Sequence, residues 1–593
     1  MKTLKTISLI LGIIVLGSAC NTGYDLQKEI NKAVKAGHRE LVIPAGRYEI
    51  KKTIHLDGID NLTIKPEASG KVVLTSGMEL LLNDFTCIDS LSGLYEISLS
   101  KLKTDPWPDA FRGYAGWPEV YISGIPMKLA RWPNEGFIKI DSVINRGTIL
   151  REGDSTGEGG SFISKELIAQ FPGEVNGHSS PVTGHFLGGY WCYKWYDEFM
   201  RVESINQETG EVKMAAPHRY GIGGPSGGLF YAINAPEFLD QPGEYYYNRE
   251  SGTIRMIIPE NQTAESVVHI GYKDFIMMDI QNCSNILIDE LKFSVHNGLA
   301  LKVTDSDSVR IQRCDFNRLA QSAVEISGGS YCGVIGSKIS FIGATGISLD
   351  GGDRPSLTPA HHYATKNMIH DFARHIQTYS PGVKLGGVGQ LVNQNRIFKA
   401  PHNAILFTGN DHLIENNVIK LVCLNTSDAG AIYCGRDWTM GGTVIQNNLI
   451  SELGQASQLH NWAIYLDDLV SGIDVLNNTI QNCPSGILIG GGRYNRVEGN
   501  HIYDCPKASI MYDARGLGWY KQYIDDPKNE LWQRLWAMPI KESPWKDRFP
   551  WLQDIPDDDP GVPKHVIIKD NMLIKTVEPV IHPTVIEYGE VDL

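Results

Sequence analysis

The 593-residue chain has no Cys-x-x-Cys pair among its ten cysteines, no run of like charges and, beyond residue 20, no apolar stretch long enough to span a bilayer. The first absence argues against a structural zinc site or a redox dithiol, and no cofactor or metal is expected. The second excludes an acidic or basic tail. Positive charge is also scarce: 54 Lys and Arg face 68 Asp and Glu, for a net charge of −14. A field of that sign draws in neither nucleic acid nor an anionic membrane. Glycine, by contrast, is abundant, with 61 residues in a chain of 42% hydrophobic content. That composition belongs to a folded, turn-rich protein, and the length favours a repeat architecture over one compact domain.

Residues 1–20, "MKTLKTISLILGIIVLGSAC", read as a targeting segment. Lys2 and Lys5 precede an apolar stretch, Ile7 to Leu16, too short to span a bilayer comfortably, and small residues follow. The segment resembles a bacterial lipoprotein signal with Cys20 as the lipidated residue; ordinary cleavage after Ala19 is the alternative. An exported protein is expected, periplasmic or held to the outer membrane through Cys20. Cysteines that close similar phrases ("IQNC", "IQRC", "IYDC") mark a small buried side chain at a recurring turn.

The internal repeat sets the fold. "VNQNRIF", "IENNVIK", "IQNNLIS", "VLNNTIQ", "VEGNHIY" and "IKDNMLI" share an asparagine between apolar residues, at Asn395, Asn417, Asn448, Asn478, Asn500 and Asn571. The steps are 22, 31, 30, 22 and 71 residues. A 22-residue step suits one coil of a parallel β-helix, with asparagines stacking from coil to coil at the ~4.8 Å strand spacing. Before the coils, Leu26, Ile30, Ala33 and Val34 share one face of a predicted helix with Asp25 as its N-cap and Gly37 past its end, a plug for the open solenoid. Between 88 and 262 the rhythm gives way to aromatic, turn-broken alternation such as "GGYWCYKWYDE", which reads as an inserted antiparallel β domain. The expected architecture is all-β: a right-handed parallel β-helix over 21–87 and 263–593, with that insertion, a capping helix and a Trp/Pro-rich excursion at 511–563.

The two long steps contain the strands "AGAIYCG" and "NWAIYLD", and their extra residues fall at both strand ends. Insertions in a repeat fold collect on its functional face. If Ile347, Ile405, Ile432, Ile464 and Ile487 point inward, then Tyr433, Tyr465 and, two residues on, Asp467 point outward, with Gly435 and Gly490 as neighbours of Asp467. Asp468 has inward parity unless the strand has ended. A glycosidic bond needs two carboxyl groups ~5 to ~9.5 Å apart. Asp437 lies within that range on simple stacking, whereas Asp428 must fold back over the face, which Gly430 permits; periodicity ranks these two equally.

The run "APHNAILFTGNDHLIENNVI", "TSDAGAIYCGRDWT", "AIYLDDLVSGIDVLNNTI" and "GILIGGGRYNRVEGNHIYDCP", with upstream "ARWPNEG" and "PGEYYYNRESGTI", resembles glycoside hydrolase family 141. The resemblance implies an exported parallel β-helix enzyme acting on an oligo- or polysaccharide, with α-L-fucosidase-type activity on the pectin rhamnogalacturonan II or xylanase-type activity. It implies a catalytic aspartate pair, Asp428 with Asp467 or Asp468. Around them, Arg436 is expected to position a substrate or carboxylate and Asp437 to partner Arg436. Trp438 and Trp462 would stack on a sugar ring, and His402 and His460 would give polar substrate contacts. Gly491, with its neighbours Gly490 and Gly492, would admit a loop or sugar. Two alternatives remain: a β-helix lyase on uronic-acid polymers, which needs a basic residue on that face, and a non-catalytic glycan-binding solenoid.

Overall fold

A computed structural model describes residues 24–99, 110–111, 117–153, 156–170, 185–454 and 461–592. The expected targeting segment with Cys20, and His460, lie outside the described residues. Three parallel sheets of 13, 12 and 12 strands run along the solenoid. Each coil contributes one short strand to each sheet, so a strand pairs with its counterpart one coil away. In the third sheet Ile405 stands beside Ile432, Ile432 beside Ile464, and Ile464 beside Ile487. These isoleucines and Ile347 are fully buried, which makes the inward column predicted from period-2 parity the core of the solenoid.

The repeated asparagine pins the register. Asn367, Asn395, Asn417, Asn448, Asn478, Asn500 and Asn571 form one column, buried up to Asn500. The side-chain Oδ1 of each later member accepts a 3.0 Å bond from Nδ2 of the one before it. The same Oδ1 takes the backbone N–H of that preceding asparagine. The residue before the column is in the left-handed region at Gln394, Asn416, Asn447, Asn477, Gly499 and Asp570. Asparagine, aspartate and glycine tolerate that conformation at least cost, which explains why the phrases read "NN", "GN" and "DN".

Helix α1, Leu26–Lys35, closes the N-terminal end, with Asp25 accepting the Lys28 N–H as its cap. It buries Leu26, Ile30 and Ala33, but Val34 is exposed, because the face against the coils is narrower than the apolar stripe. The nine described cysteines are free, and all but Cys87 are buried. Cys283, Cys314 and Cys332 each point Sγ at a backbone carbonyl of the neighbouring coil.

The antiparallel region is wider than 88–262. It runs from Met78 to Gly271 in sheets of 4, 5 and 9 strands. Its first and last strands, Met78–Leu81 and Val267–Gly271, pair with each other antiparallel, with Val268 opposite Leu80. The insertion leaves from the second-sheet strand Val72–Thr75 and returns into the third-sheet strand Met278–Gln281. The excursion leaves a third-sheet strand, Ala508–Asp513, so it begins after Asp513 rather than at 511. It is helical, and Trp532, Trp545 and Trp551 pack its interior. One addition therefore enters before the third sheet and the other leaves after it.

An Asn448→Ala substitution strands donors and acceptors on both neighbouring coils and should cost roughly 3 kcal/mol. Asn571→Ala, at the half-exposed end of the column, should cost about 1 kcal/mol. Thermal unfolding checks the order: equal losses of Tm would mean that the column does not set stability.

Candidate active site

The third sheet is flanked along its two sides by the two additions. On the entry side, Asp197 of the insertion accepts the N–H groups of Gln377 and Thr378, and Ser427 donates its N–H to the Lys194 carbonyl. On the exit side, Arg534 of the excursion bonds the carbonyl of Arg436 at 2.5 Å, and Trp545 bonds the carbonyl of Arg354. Between them is a cleft of about 420 Å³, lined by Trp195, Tyr196 and Tyr220 from the insertion, Tyr379, Tyr433 and Arg436 from the solenoid, and Glu530 and Arg534 from the excursion. The aromatic rings run continuously from wall to floor. Trp195 meets Tyr220 at 5.1 Å and Tyr379 at 6.4 Å, and Tyr379 meets Tyr433 at 6.5 Å.

Beneath the cleft, strands Ala429–Gly435 and Asn461–Asp467 lie side by side with Tyr433 beside Tyr465 and Gly435 beside Asp467. The two tyrosines cross. The Tyr433 hydroxyl reaches over to Asp467 Oδ2 at 2.9 Å, and the Tyr465 hydroxyl reaches back to Asp428 Oδ1 at 3.4 Å. Asp428 attains that position from the bend at 427–428, just before the strand, and Gly430 packs closely beneath it. A Cβ at Gly430 would lie 2.7 Å from the Cβ of Tyr465, so only glycine fits against the Tyr465 side chain that reaches Asp428. Asp428 itself has φ of 56°.

The two carboxyl groups sit in different surroundings. Burial first, and then the charge of Asp467, push Asp428 up to about 6 from the usual 3.8. Asp467 is ion-paired: Arg515 Nη1 lies 2.5 Å from its Oδ1. The same nitrogen lies 2.8 Å from Asp468 Oδ1, while Arg515 Nε and Nη2 grip Asp513. Arg436 Nε holds the other oxygen of Asp468 at 2.9 Å. Asp468 follows the last strand residue with φ of 35°, which turns its side chain out of the core parity and onto these two arginines. Burial and the neighbouring Asp467 raise Asp468, and Arg515 and Arg436 oppose them.

Asp428, Asp467, Asp468 and Arg436 are thus brought together. The other expected contacts are not on the cleft. Asp437 is buried and takes the N–H and hydroxyl of Thr439, and its charged neighbour is Arg354 at 3.5 Å rather than Arg436. Trp438 is 1% exposed and packs on Trp532, because the excursion covers it. Trp462 is buried with Tyr465, Leu488 and Ala508. His402 accepts the Tyr379 N–H at 3.0 Å, so it supports a wall residue instead of meeting a ligand. At Gly491 the space for a Cβ is filled by Leu469, and at Gly490 by the Arg515 guanidinium. These glycines make room for protein, not sugar.

Sequence reasoning missed Arg515 and the insertion's aromatic wall. Arg515 follows the point where the coil rhythm ends, so no periodicity singles it out. "GGYWCYKWYDE" stood out for its aromatic content, but nothing in the sequence tied it to the third sheet. Among the described residues, no group of three or more His, Cys, Asp or Glu is placed to hold a metal.

The chain matches the model of the right-handed β-helix region over residues 278–369 and 381–517. Among solved structures it is similar to one named a glycoside hydrolase, at 13% identity and a TM-score of 0.61, covering 88% of this chain and 95% of that one. At that identity the likeness is one of fold. It also resembles a complex of XylC with xylose (10% identity, TM-score 0.48, 91% and 81% covered) and the Streptococcus pneumoniae surface protein and adhesin PfbA (11%, 0.38, 95% and 98%). No curated protein matches the sequence.

The raised Asp428 has a stability consequence. Its folded value exceeds its ordinary one, so its ionisation opposes folding; the penalty is absent below about pH 4, grows through pH 6 and is complete above it. Asp428→Asn should therefore raise stability at pH 7.5 by on the order of 2–3 kcal/mol and leave it unchanged at pH 3.5. A loss of Tm at pH 7.5 would contradict this account of the site.

Proposed function

We propose that the protein is a glycoside hydrolase in which Asp428 donates the proton and Asp467 is the partner carboxylate. The observation that carries this reading is the contrast between two acids on adjacent coils under one aromatic cleft. One is held partly protonated near neutral pH and the other is ion-paired to Arg515. Glycosidic cleavage needs that division of labour. Asp428 passes its proton to the bridging oxygen as the bond to the anomeric carbon breaks. Asp467, oriented by Arg515 and the Tyr433 hydroxyl, attacks that carbon or takes a proton from the water that does. Asp468, with an arginine on each oxygen, positions the pair. Trp195, Tyr220 and Tyr379 offer apolar faces for sugar rings.

The name of the fold neighbour supports this reaction class. The resemblance to glycoside hydrolase family 141 supports a plant cell-wall polysaccharide as substrate, through α-L-fucosidase-type action on rhamnogalacturonan II or xylanase-type action. Residues 1–20 support export, with attachment through Cys20.

Purified protein should release reducing sugars from pectic oligosaccharides or xylan. Its rate should fall as pH rises through about 6, because Asp428 then loses the proton it must donate. Asp428→Asn should lower kcat by roughly 10²- to 10⁴-fold, with a smaller loss on substrates whose leaving group needs no proton. Asp467→Asn should abolish turnover and leave binding. An unsaturated, ultraviolet-absorbing product would replace this reading with a lyase, and binding without turnover in the unmutated protein would replace it with a glycan-binding solenoid.

A further inference from the structure

The protein carries a net charge of −14, yet the cleft is lined by four arginines and one carboxylate. Arg151 and Arg219 come from the insertion, Arg436 from the loop after its third-sheet strand, and Arg534 from the excursion helix Glu530–Trp536. Glu530 is shared among three of them, at 3.2 Å from Arg151, 3.7 Å from Arg436 and 3.2 Å from Arg534. One carboxylate cannot neutralise three guanidinium groups, and of the cleft's four arginines Asp468, which it shares with Arg515, answers only Arg436.

Arg219 is the sharpest case. It is exposed, its guanidinium lies 5.9 and 6.0 Å from the rings of Tyr196 and Tyr220, and among the described residues no carboxylate is ion-paired with it. The nearby Glu198 accepts its backbone N–H and acts on the guanidinium only through space, and the one side chain bonded to that guanidinium among the described residues is the Tyr220 phenol. A planar cation held beside aromatic faces and open to the cleft is built to accept a planar anion by two parallel hydrogen bonds.

We propose that the cleft selects an acidic saccharide: a sugar bearing a carboxylate or sulfate group is bound by Arg219 and Arg151 next to the position of the bond above Asp428 and Asp467. The proposal rests on the hydrolase reading for its substrate class and adds the charge that the substrate must carry. The site adjoins the acids directly, since Tyr433 lines the cleft and donates to Asp467, and Arg436 lines it and holds Asp468. A bound anion would compete with Glu530 for Arg151, the contact that links insertion to excursion. Occupancy would therefore be felt on both walls at once. Selection of this kind makes uncharged polymers poor substrates.

The test uses the full chain and matched oligosaccharides: an oligouronate, the same oligomer with its carboxyl groups reduced to alcohols, and a sulfated neutral oligomer. Binding is followed by calorimetry at low and high salt. The oligouronate should bind at least about tenfold more tightly than its reduced form, with the difference shrinking as salt rises. Arg219→Gln should remove most of that difference, and Arg219→Lys should restore part of it. A sulfated oligomer that binds as well as the oligouronate assigns the anion as either group; one that binds no better than the reduced oligomer assigns it as carboxylate. Equal affinity for charged and reduced oligomers, or a preference untouched by Arg219→Gln, overturns the proposal. Turnover separates it from the reading beneath it. Equal cleavage of neutral and acidic chains sinks the charge selection and leaves the hydrolase standing. Selective binding without cleavage of any chain sinks the hydrolase and leaves the anion site standing.

Discussion

The hydrogen bond from one column asparagine to the next holds each coil in register with its neighbour, and that register sets every relationship in the site. Because Asn417, Asn448 and Asn478 pin the corner, the third-sheet strands cannot slide. Gly435 stays beside Asp467 and Gly490 beside Asp513. A slip of one residue would turn Tyr433, Tyr465 and Asp467 into the core. The glycine neighbours matter as much as the acids. A side chain at 490 would collide with the Arg515 guanidinium that lies flat across it.

That arrangement concentrates charge in a buried place. Asp428, Asp467, Asp468 and Asp513 share Arg515 and Arg436, and four acids against two bases do not balance. Burial first, and then the unbalanced charge of Asp467, lift Asp428 above the usual carboxylate range, so in the proposed hydrolase the destabilising feature and the proton donor are one feature. Arg515 keeps the cluster from flying apart, and removing one member of such a buried network costs more than the pair gains. A site of this type spends stability gained elsewhere, here in a long isoleucine-filled core.

The sequence made the solenoid legible because its signal is repeated: each asparagine phrase confirms the others, and parity along a strand follows from geometry alone. The same parity placed Tyr433, Tyr465 and Asp467 on one face. It failed for residues whose position depends on what covers them. Trp438, Trp462 and His402 sit next to the site in sequence, yet the excursion and neighbouring coils bury them. Asp437 looked like a partner of Arg436, but the left-handed turn at Arg436 sends the two side chains to different neighbours. Arg515 and Trp195 are distant in sequence and carry no periodic mark. Only the folded chain shows that the insertion enters before the third sheet and the excursion leaves after it.

This topology separates two tasks. The acids stand on or beside strands whose positions the asparagine column fixes, which gives them the rigidity that the proposed catalysis requires. The walls come from chain spliced into turns, where length and composition change without disturbing the register. Arg151, Trp195 and Arg219 are free to follow a substrate's charge and shape while Asp428 and Asp467 keep their chemistry. The Glu530 bridges join the walls to each other and, through Arg436 and Asp468, to the acids. A ligand bound as proposed would thereby act on the carboxylates through two ion pairs, with no movement of the solenoid needed.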